Sequence, residues 1–275
     1  MTYSHWDLMK PIPGKWLAVT AGVGAPDFEE AAFRVRDALV PSRVVDEVVV
    51  VTTRDLPIVC PETTVLYRDL MNTDTKGYGY MCWKAEVVNA AMQGKWGDFE
   101  GVIWIDAGCE ISINALSISR FRKFQNFARE NGVACFTLDT LELEYTTRDL
   151  FDKFPELSAH LAGKQIQTTW FLLHGERGKQ IAKEWFETVM LGTNLLDLNP
   201  SLSPEYDGFI ENRYDQSAFS LVCKKNRVHV MNYRPTAGTG SYVSILRGLV
   251  NPIWTSRNRK GQSLKRKIHT HFEIQ

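Results

Sequence analysis

Several familiar signals are missing from this 275-residue chain. The five cysteines, Cys60, Cys82, Cys109, Cys135 and Cys223, are odd in number, scattered and never arranged as C-x-x-C. Neither a disulfide framework nor a zinc knuckle is signalled, and a reducing cytoplasm is the expected compartment. No apolar run reaches the length of about 18 residues that an ordinary transmembrane helix needs. The opening Met1-Thr2-Tyr3-Ser4-His5-Trp6 lacks a basic stretch followed by an apolar one, so no signal peptide is expected. An excess of one charge is lacking too. Lys+Arg and Asp+Glu both number 32, so no global field draws the protein onto nucleic acid. A G-x-x-x-x-G-K-[ST] phosphate loop, internal repeats and a Pro/Ser linker are likewise absent.

What is present alternates. Trp16 to Ala21 is an apolar run ending in Gly22 and Gly24, as a buried strand running into a turn would be. Phe28 to Leu39 has helical spacing, with Asp27 as the expected N-cap. Val48 to Thr53 is β-branched and reads as a strand buried on both faces. Met81 to Met92 reads as a helix, and Gly101 to Asp106 as a strand stopping at a carboxylate. This order predicts an α/β, Rossmann-like, mostly parallel central sheet flanked by helices. Ligands of such sheets bind beyond the carboxyl ends of the strands, which selects Thr20 to Gly24, Thr52 to Asp55 and Asp106 to Glu110.

The second half is more mixed. Ser119 to Arg129, Glu176 to Met190 and Asp215 to Lys225 read as helices; Val133 to Leu138 and Gln167 to Leu173 read as strands. From Ser241 the pattern dissolves into a basic tail holding Arg257, Arg259, Lys260, Lys265, Arg266 and Lys267. The expected organisation is one domain over 1–240 with a basic C-terminal extension over 241–275.

Three motifs can carry chemistry. Asp106-Ala107-Gly108-Cys109-Glu110 sets a carboxylate at a strand end beside small residues, where a bulky anionic ligand can approach and a divalent ion can offset its charge. A strand-terminal Asp also commonly accepts turn hydrogen bonds. Gly77-Tyr78-Gly79-Tyr80-Met81-Cys82-Trp83-Lys84 is a glycine-aromatic loop leading into a helix with Lys84 in its first turns. Lys84 can meet a phosphate there, although a lone lysine is more often solvated. Glu211-Asn212-Arg213-Tyr214-Asp215-Gln216-Ser217 opens a helix; Asp215 can cap it, whereas Gln216 has no capping task.

Taken in order, these motifs resemble GT-A glycosyltransferases, from about Trp16 to Asn226. The likeness is to bacterial and phage-type sugar transferases carrying "GYG…WK", "DAGCE" and "RYDQS", and more loosely to glycogenin-like and lipopolysaccharide galactosyltransferases. The resemblance implies a nucleotide-sugar donor, by default a UDP-sugar, and a saccharide or other hydroxyl acceptor, as in surface polysaccharide synthesis. It implies that Thr20, Ala21, Gly22, Thr53 and Arg54 line the nucleotide, and that Tyr80, Lys84, Asp106, Ala107 and Gly108 meet the donor. Asp215 and Gln216 would lie beside the anomeric carbon, in a retaining enzyme more than an inverting one. Tyr145 and Trp170 are acceptor candidates, and Arg257 and Arg259 diphosphate candidates.

The family's D-x-D departs here, because Gly108 stands where the second acid belongs. A Mn2+ or Mg2+ site would then draw on Asp106, Glu110 and His229; no organic cofactor is implied. The tail is also suited to peripheral contact with an anionic membrane on its inner face. Two other readings compete: a catalytically inactive glycan- or nucleotide-binding module, and a NAD(P)-dependent oxidoreductase built on Gly22-x-Gly24. The latter lacks the third glycine, since Asp27 stands in its place.

Overall fold

A computed structural model describes residues 14–199, 201–231 and 251–255. Strand β1 (Trp16–Gly22) is buried along its whole length. It turns directly into α1 (Pro26–Leu39), where Pro26 occupies the first turn and Ala25, with no side-chain bond, precedes it. A proline there forfeits no helical hydrogen bond, and Asp27 lies inside the first turn, so it is not the N-cap the sequence suggested. Then come β2 (Glu47–Thr52), α2 (Trp83–Met92), β3 (Gly101–Ile105) and β4 (Cys109–Ile111). They are followed by α3 (Ala115–Asn131), β5 (Val133–Ala134), β6 (Thr137–Leu141), β7 (Lys164–Ile166) and β8 (Trp170–His174). Helices α4 (Gly175–Val189) and α5 (Asp215–Lys225) and strand β9 (Ile253–Thr255) complete the order.

The central sheet runs β2-β1-β3-β8-β5. Strands β2, β1 and β3 are parallel, and β8 is antiparallel to both β3 and β5. The chain leaves β1 for β2 on one side and returns to β3 on the other, so the crevice between the ends of β1 and β3 is the topological switch point.

Strand periodicity assigns the two faces. Leu17, Val19, Ala21, Val102 and Trp104 pack in one core with residues of α2, α4 and α5. Trp16, Ala18, Ile103 and Ile105 pack in the other with Val35 and Leu39 of α1 and Phe121 and Phe124 of α3.

Three sequence expectations need correction. The β2 strand is a sheet edge, and only Val51 in it is fully buried, so it is not covered on both faces. The expected strand Val133 to Leu138 is two strands in different sheets, β5 and β6, because the chain leaves the central sheet after Ala134. The expected strand at Gln167 begins only at Trp170, and Gln167–Thr169 form a loop at the site edge. Strand β9, which lies within the segment read as a C-terminal extension, pairs antiparallel with β4, Glu110 opposite Trp254. Among the described residues no helix is long and apolar enough to cross a membrane.

Candidate active site

Two tight turns shape the crevice. At Gly22 the first turn of α1 lies so close that an added Cβ would fall 2.3 Å from Glu29 Cα and 2.4 Å from the Phe28 carbonyl oxygen. Gly24, at φ +95°, donates its N–H to Thr53 Oγ1 at 2.8 Å, tying the β1 turn to the end of β2. Thr20 and Ala21 are buried and Arg54 is exposed. The expected nucleotide-lining set is thus gathered at one strand edge, with Thr53 and Arg54 on its accessible side.

At the end of β3, Asp106 meets the other two motifs through a buried lysine. Lys84 Nζ lies 3.0 Å from Asp106 Oδ1 and 2.9 Å from Asp215 Oδ2. Its side chain is 1% exposed, against 29% for Asp106 and 4% for Asp215. Burial disfavours the ammonium, but the two carboxylates outweigh burial and raise the Lys84 pKa above its usual value. Burial raises the Asp215 pKa, and Lys84 only partly offsets this. Lys84 therefore does not present a free ammonium to a phosphate, as the sequence suggested; it clamps two carboxylates together. Nor does Asp215 serve as a side-chain cap: it is the first residue of α5, preceded by Tyr214 in the left-handed region at φ 52°.

Four supporting residues escaped the sequence reading. Trp104 Nε1 donates to Asp106 Oδ1 at 2.7 Å, and the Lys84 ammonium lies 5.4 Å from the Trp104 ring centroid. Arg34, on α1, donates to the carbonyls of Ala107 at 3.1 Å and Cys109 at 3.4 Å, pinning the turn after Asp106. The Thr168 side chain bonds Asp215, and the Asp106 N–H donates to the Thr169 carbonyl at 2.8 Å. A Trp two residues before an Asp on one strand shares its face, so Trp104 had a readable signal. Arg34 and Thr168 had none.

The glycine-aromatic loop forms one left-handed turn. Gly77, Tyr78, Gly79, Tyr80 and Met81 have φ of 64°, 52°, 86°, 55° and 58°. For the three non-glycine residues this costs about 1–2 kcal/mol each. The turn is held by the Trp83 indole donating to the Gly77 carbonyl at 3.2 Å and by Tyr80 packing on Tyr214, ring centroids 5.0 Å apart. Backbone strain concentrated beside Lys84 and Asp215 fits a site whose geometry is held by its surroundings.

The carboxylate cluster carries two acids against one base, so one negative charge is in excess when all are ionised. Asp106 Oδ1 is committed to Lys84 and Trp104, while Oδ2 has no partner among the described residues. Gln216, beside Asp215, is half-buried and bonds Gln165.

Asp106, Glu110 and His229 do not converge into a metal site. Among the described residues no group of three or more His, Cys, Asp or Glu is placed to hold a metal ion. Glu110 is carried away along β4, and His229 is exposed on the segment whose Met231 pairs with Phe136, two strands from Asp106. Among the described residues Asp106 Oδ2 is left open at this edge, and a single carboxylate oxygen does not build a resident metal site. Trp170 faces no acceptor either: it is fully buried, its ring 4.3 Å from that of Phe136 and 5.2 Å from that of Phe124. Tyr145 is half-buried, with the Arg213 guanidinium 4.3 Å from its ring centroid. Arg257 and Arg259 lie outside the described residues.

No family model matches the chain, and no curated protein matches it in sequence. Solved structures do resemble it. Mouse xyloside xylosyltransferase 1, in its apo form, is 12% identical with a TM-score of 0.47, over 90% of this chain and 100% of that one. A glycosyltransferase involved in the glycosylation of the major capsid of PBCV-1 is 10% identical with a TM-score of 0.41, over 93% of this chain and 99% of that one. The bifunctional glycosyltransferase WbbM is 9% identical with a TM-score of 0.46, over 90% of this chain and 47% of that one.

Proposed function

We propose that this chain is a glycosyltransferase, moving a sugar from a nucleotide-diphosphate donor, by default a UDP-sugar, onto a hydroxyl of a saccharide acceptor. The single observation that carries this reading is the convergence of Lys84, Asp106 and Asp215 at the switch point of the sheet. Transfer builds positive charge at the anomeric carbon and negative charge on the departing diphosphate. A net-negative, mostly buried carboxylate pair stabilises the first of these, because its field is little screened there. Asp215 and Gln216, at the start of α5, are the residues assigned to the sugar face, and a retaining outcome suits this pair.

Among the described residues no resident metal site is built; a divalent ion arriving with the donor would find its ligand on this chain in Asp106 Oδ2 and would supply positive charge to offset the diphosphate. This chain's own contribution is to leave that oxygen uncommitted, with Oδ1 fixed by Trp104 and Lys84 and the following turn pinned by Arg34. Tyr145, carrying Arg213 on its ring, is the acceptor-side candidate. We place the activity in surface polysaccharide synthesis in the cytoplasm, with the basic tail meeting the inner face of an anionic membrane.

The test is hydrolysis and transfer across a panel of UDP-, GDP- and TDP-sugars. Turnover of one donor, lost in Asp106→Asn, supports the reading; a protein that binds but never turns over any sugar nucleotide is a binding module instead.

A further inference from the structure

A chain of buried hydrogen bonds reaches the site from behind, and its polarity can be worked out atom by atom. It starts at Glu142, which is fully buried and paired with Lys224 Nζ at 2.6 Å. Glu142 also accepts from the Ser220 hydroxyl, and its Oε2 accepts from Thr146 Oγ1 at 2.7 Å. Thr146 thereby uses its only hydroxyl proton. Ser217 likewise uses its own on the Tyr145 carbonyl, at 2.6 Å.

One end of the Gln165 side-chain amide lies 3.2 Å from each of three atoms: the Tyr145 carbonyl oxygen, Thr146 Oγ1 and Ser217 Oγ. All three can only accept. That end of Gln165 must be its NH2, which is the network argument by which an amide orientation is fixed. The opposite end, Gln165 Oε1, then faces the Gln216 amide at 2.6 Å and requires an N–H there. Gln216 Nε2 is thus turned inward. Its Oε1 is left with no partner among the described residues, on a half-buried side chain next to Asp215.

We propose that Gln165 is a positioning residue, holding Gln216 so that a carbonyl oxygen rather than an NH2 faces the site, with the polarity imposed from Glu142 through Thr146. The site then offers an acceptor beside the Asp215 carboxylate, matched to a sugar hydroxyl that donates or to positive charge developing on the ring. The consequence for turnover rests on the transferase reading, whereas the amide orientation stands apart from it.

Two experiments separate these. In full-length protein with 15N-labelled glutamine, the Gln216 side-chain NH2 is assigned by its loss in Gln216→Met. Its protons should exchange with solvent at least about tenfold more slowly than a free amide, and that protection should vanish in Gln165→Met. On the hydrolysed donor, Gln165→Met should lower kcat about tenfold with KM held within about twofold, as expected for an interaction realised at the reacting centre. Gln165→Glu should act in acid, where the protonated carboxyl donates to Tyr145 and accepts from Gln216 as glutamine does. It should lose activity as that carboxyl ionises, a limb absent from the wild type.

Free exchange of the Gln216 amide in the wild type overturns the proposal, as does full kcat in folded Gln165→Met. If Gln165→Met does not fold, the wild-type exchange decides alone. If the wild type hydrolyses no sugar nucleotide, the transferase reading falls while the exchange experiment still decides the positioning.

Discussion

Lys84 is buried and Lys224 nearly so, and their surroundings differ in ways that separate a fastening from a site. Lys224, in the last turn of α5, meets one acid, Glu142, which is 0% exposed and also bonded by Thr146 and Ser220. Charge is balanced there and the carboxylate oxygens are occupied. Lys84 meets two acids, one of them 29% exposed and with an oxygen free among the described residues. The pKa directions follow. Burial lowers that of Lys224 despite Glu142, whereas two carboxylates raise that of Lys84 despite burial. A closed, neutral pair fixes a packing arrangement. An open cluster with surplus charge has a task left for a ligand.

The largest effect should come from removing the cation that holds the site together. Lys84→Met leaves Asp215 buried beside a second acid and should destabilise the protein by about 3–5 kcal/mol, read by urea unfolding. Lys224→Met should cost about 3 kcal/mol by the same mechanism, yet leave donor-induced stabilisation intact. If both variants lose donor binding alike, the contrast between the two centres is wrong. Asp106→Asn should do the reverse, lowering turnover about 100-fold or more while changing stability by less than about 1 kcal/mol, because Lys84 keeps Asp215 as partner.

A pH series sharpens the same contrast. The Lys84 pKa is raised, so its contribution is complete below the unfolded lysine value of about 10.4 and is lost as pH climbs toward the folded value. The stability gap between wild type and Lys84→Met should therefore narrow above that pH. Lys224 has a lowered pKa, so its ionisation penalty is relieved as pH rises, and the gap to Lys224→Met should not narrow. The smallest effect concerns backbone strain: Tyr78→Gly should offset lost ring packing by relieving φ 52°, leaving thermal stability within about 1 kcal/mol of wild type.

Much of this arrangement was legible beforehand. The strands ending at Gly22 and Asp106, the helices between them and the start of α5 at Asp215 followed from apolar periodicity and turn residues. So did the shared edge that gathers Thr20 to Gly24, Thr52 to Asp55 and Asp106 to Glu110, since parallel crossovers place strand ends together. The role of Lys84 was not legible, because its partners lie far along the chain and a lysine in the first turns of a helix looks solvated. Gln165 was silent for the same reason: in a short strand it reads as an ordinary polar residue, and only its neighbours from Tyr145, Thr146 and α5 give it meaning. The β2 strand misled because a β-branched run looks alike at an edge and at the centre. Trp170 misled because an aromatic suited to sugar stacking is equally suited to a core.

The central claim, that the Lys84–Asp106–Asp215 cluster is a nucleotide-sugar site, is tested most directly by thermal unfolding against UDP, GDP and NAD, each with and without Mn2+. A ligand that binds only the folded state raises its stability in proportion to the logarithm of concentration over affinity. The account predicts a rise in midpoint with a nucleoside diphosphate that disappears in Asp106→Asn and survives in Glu142→Gln. A shift with NAD alone, or a nucleoside-diphosphate shift that persists unchanged in Asp106→Asn, would contradict it.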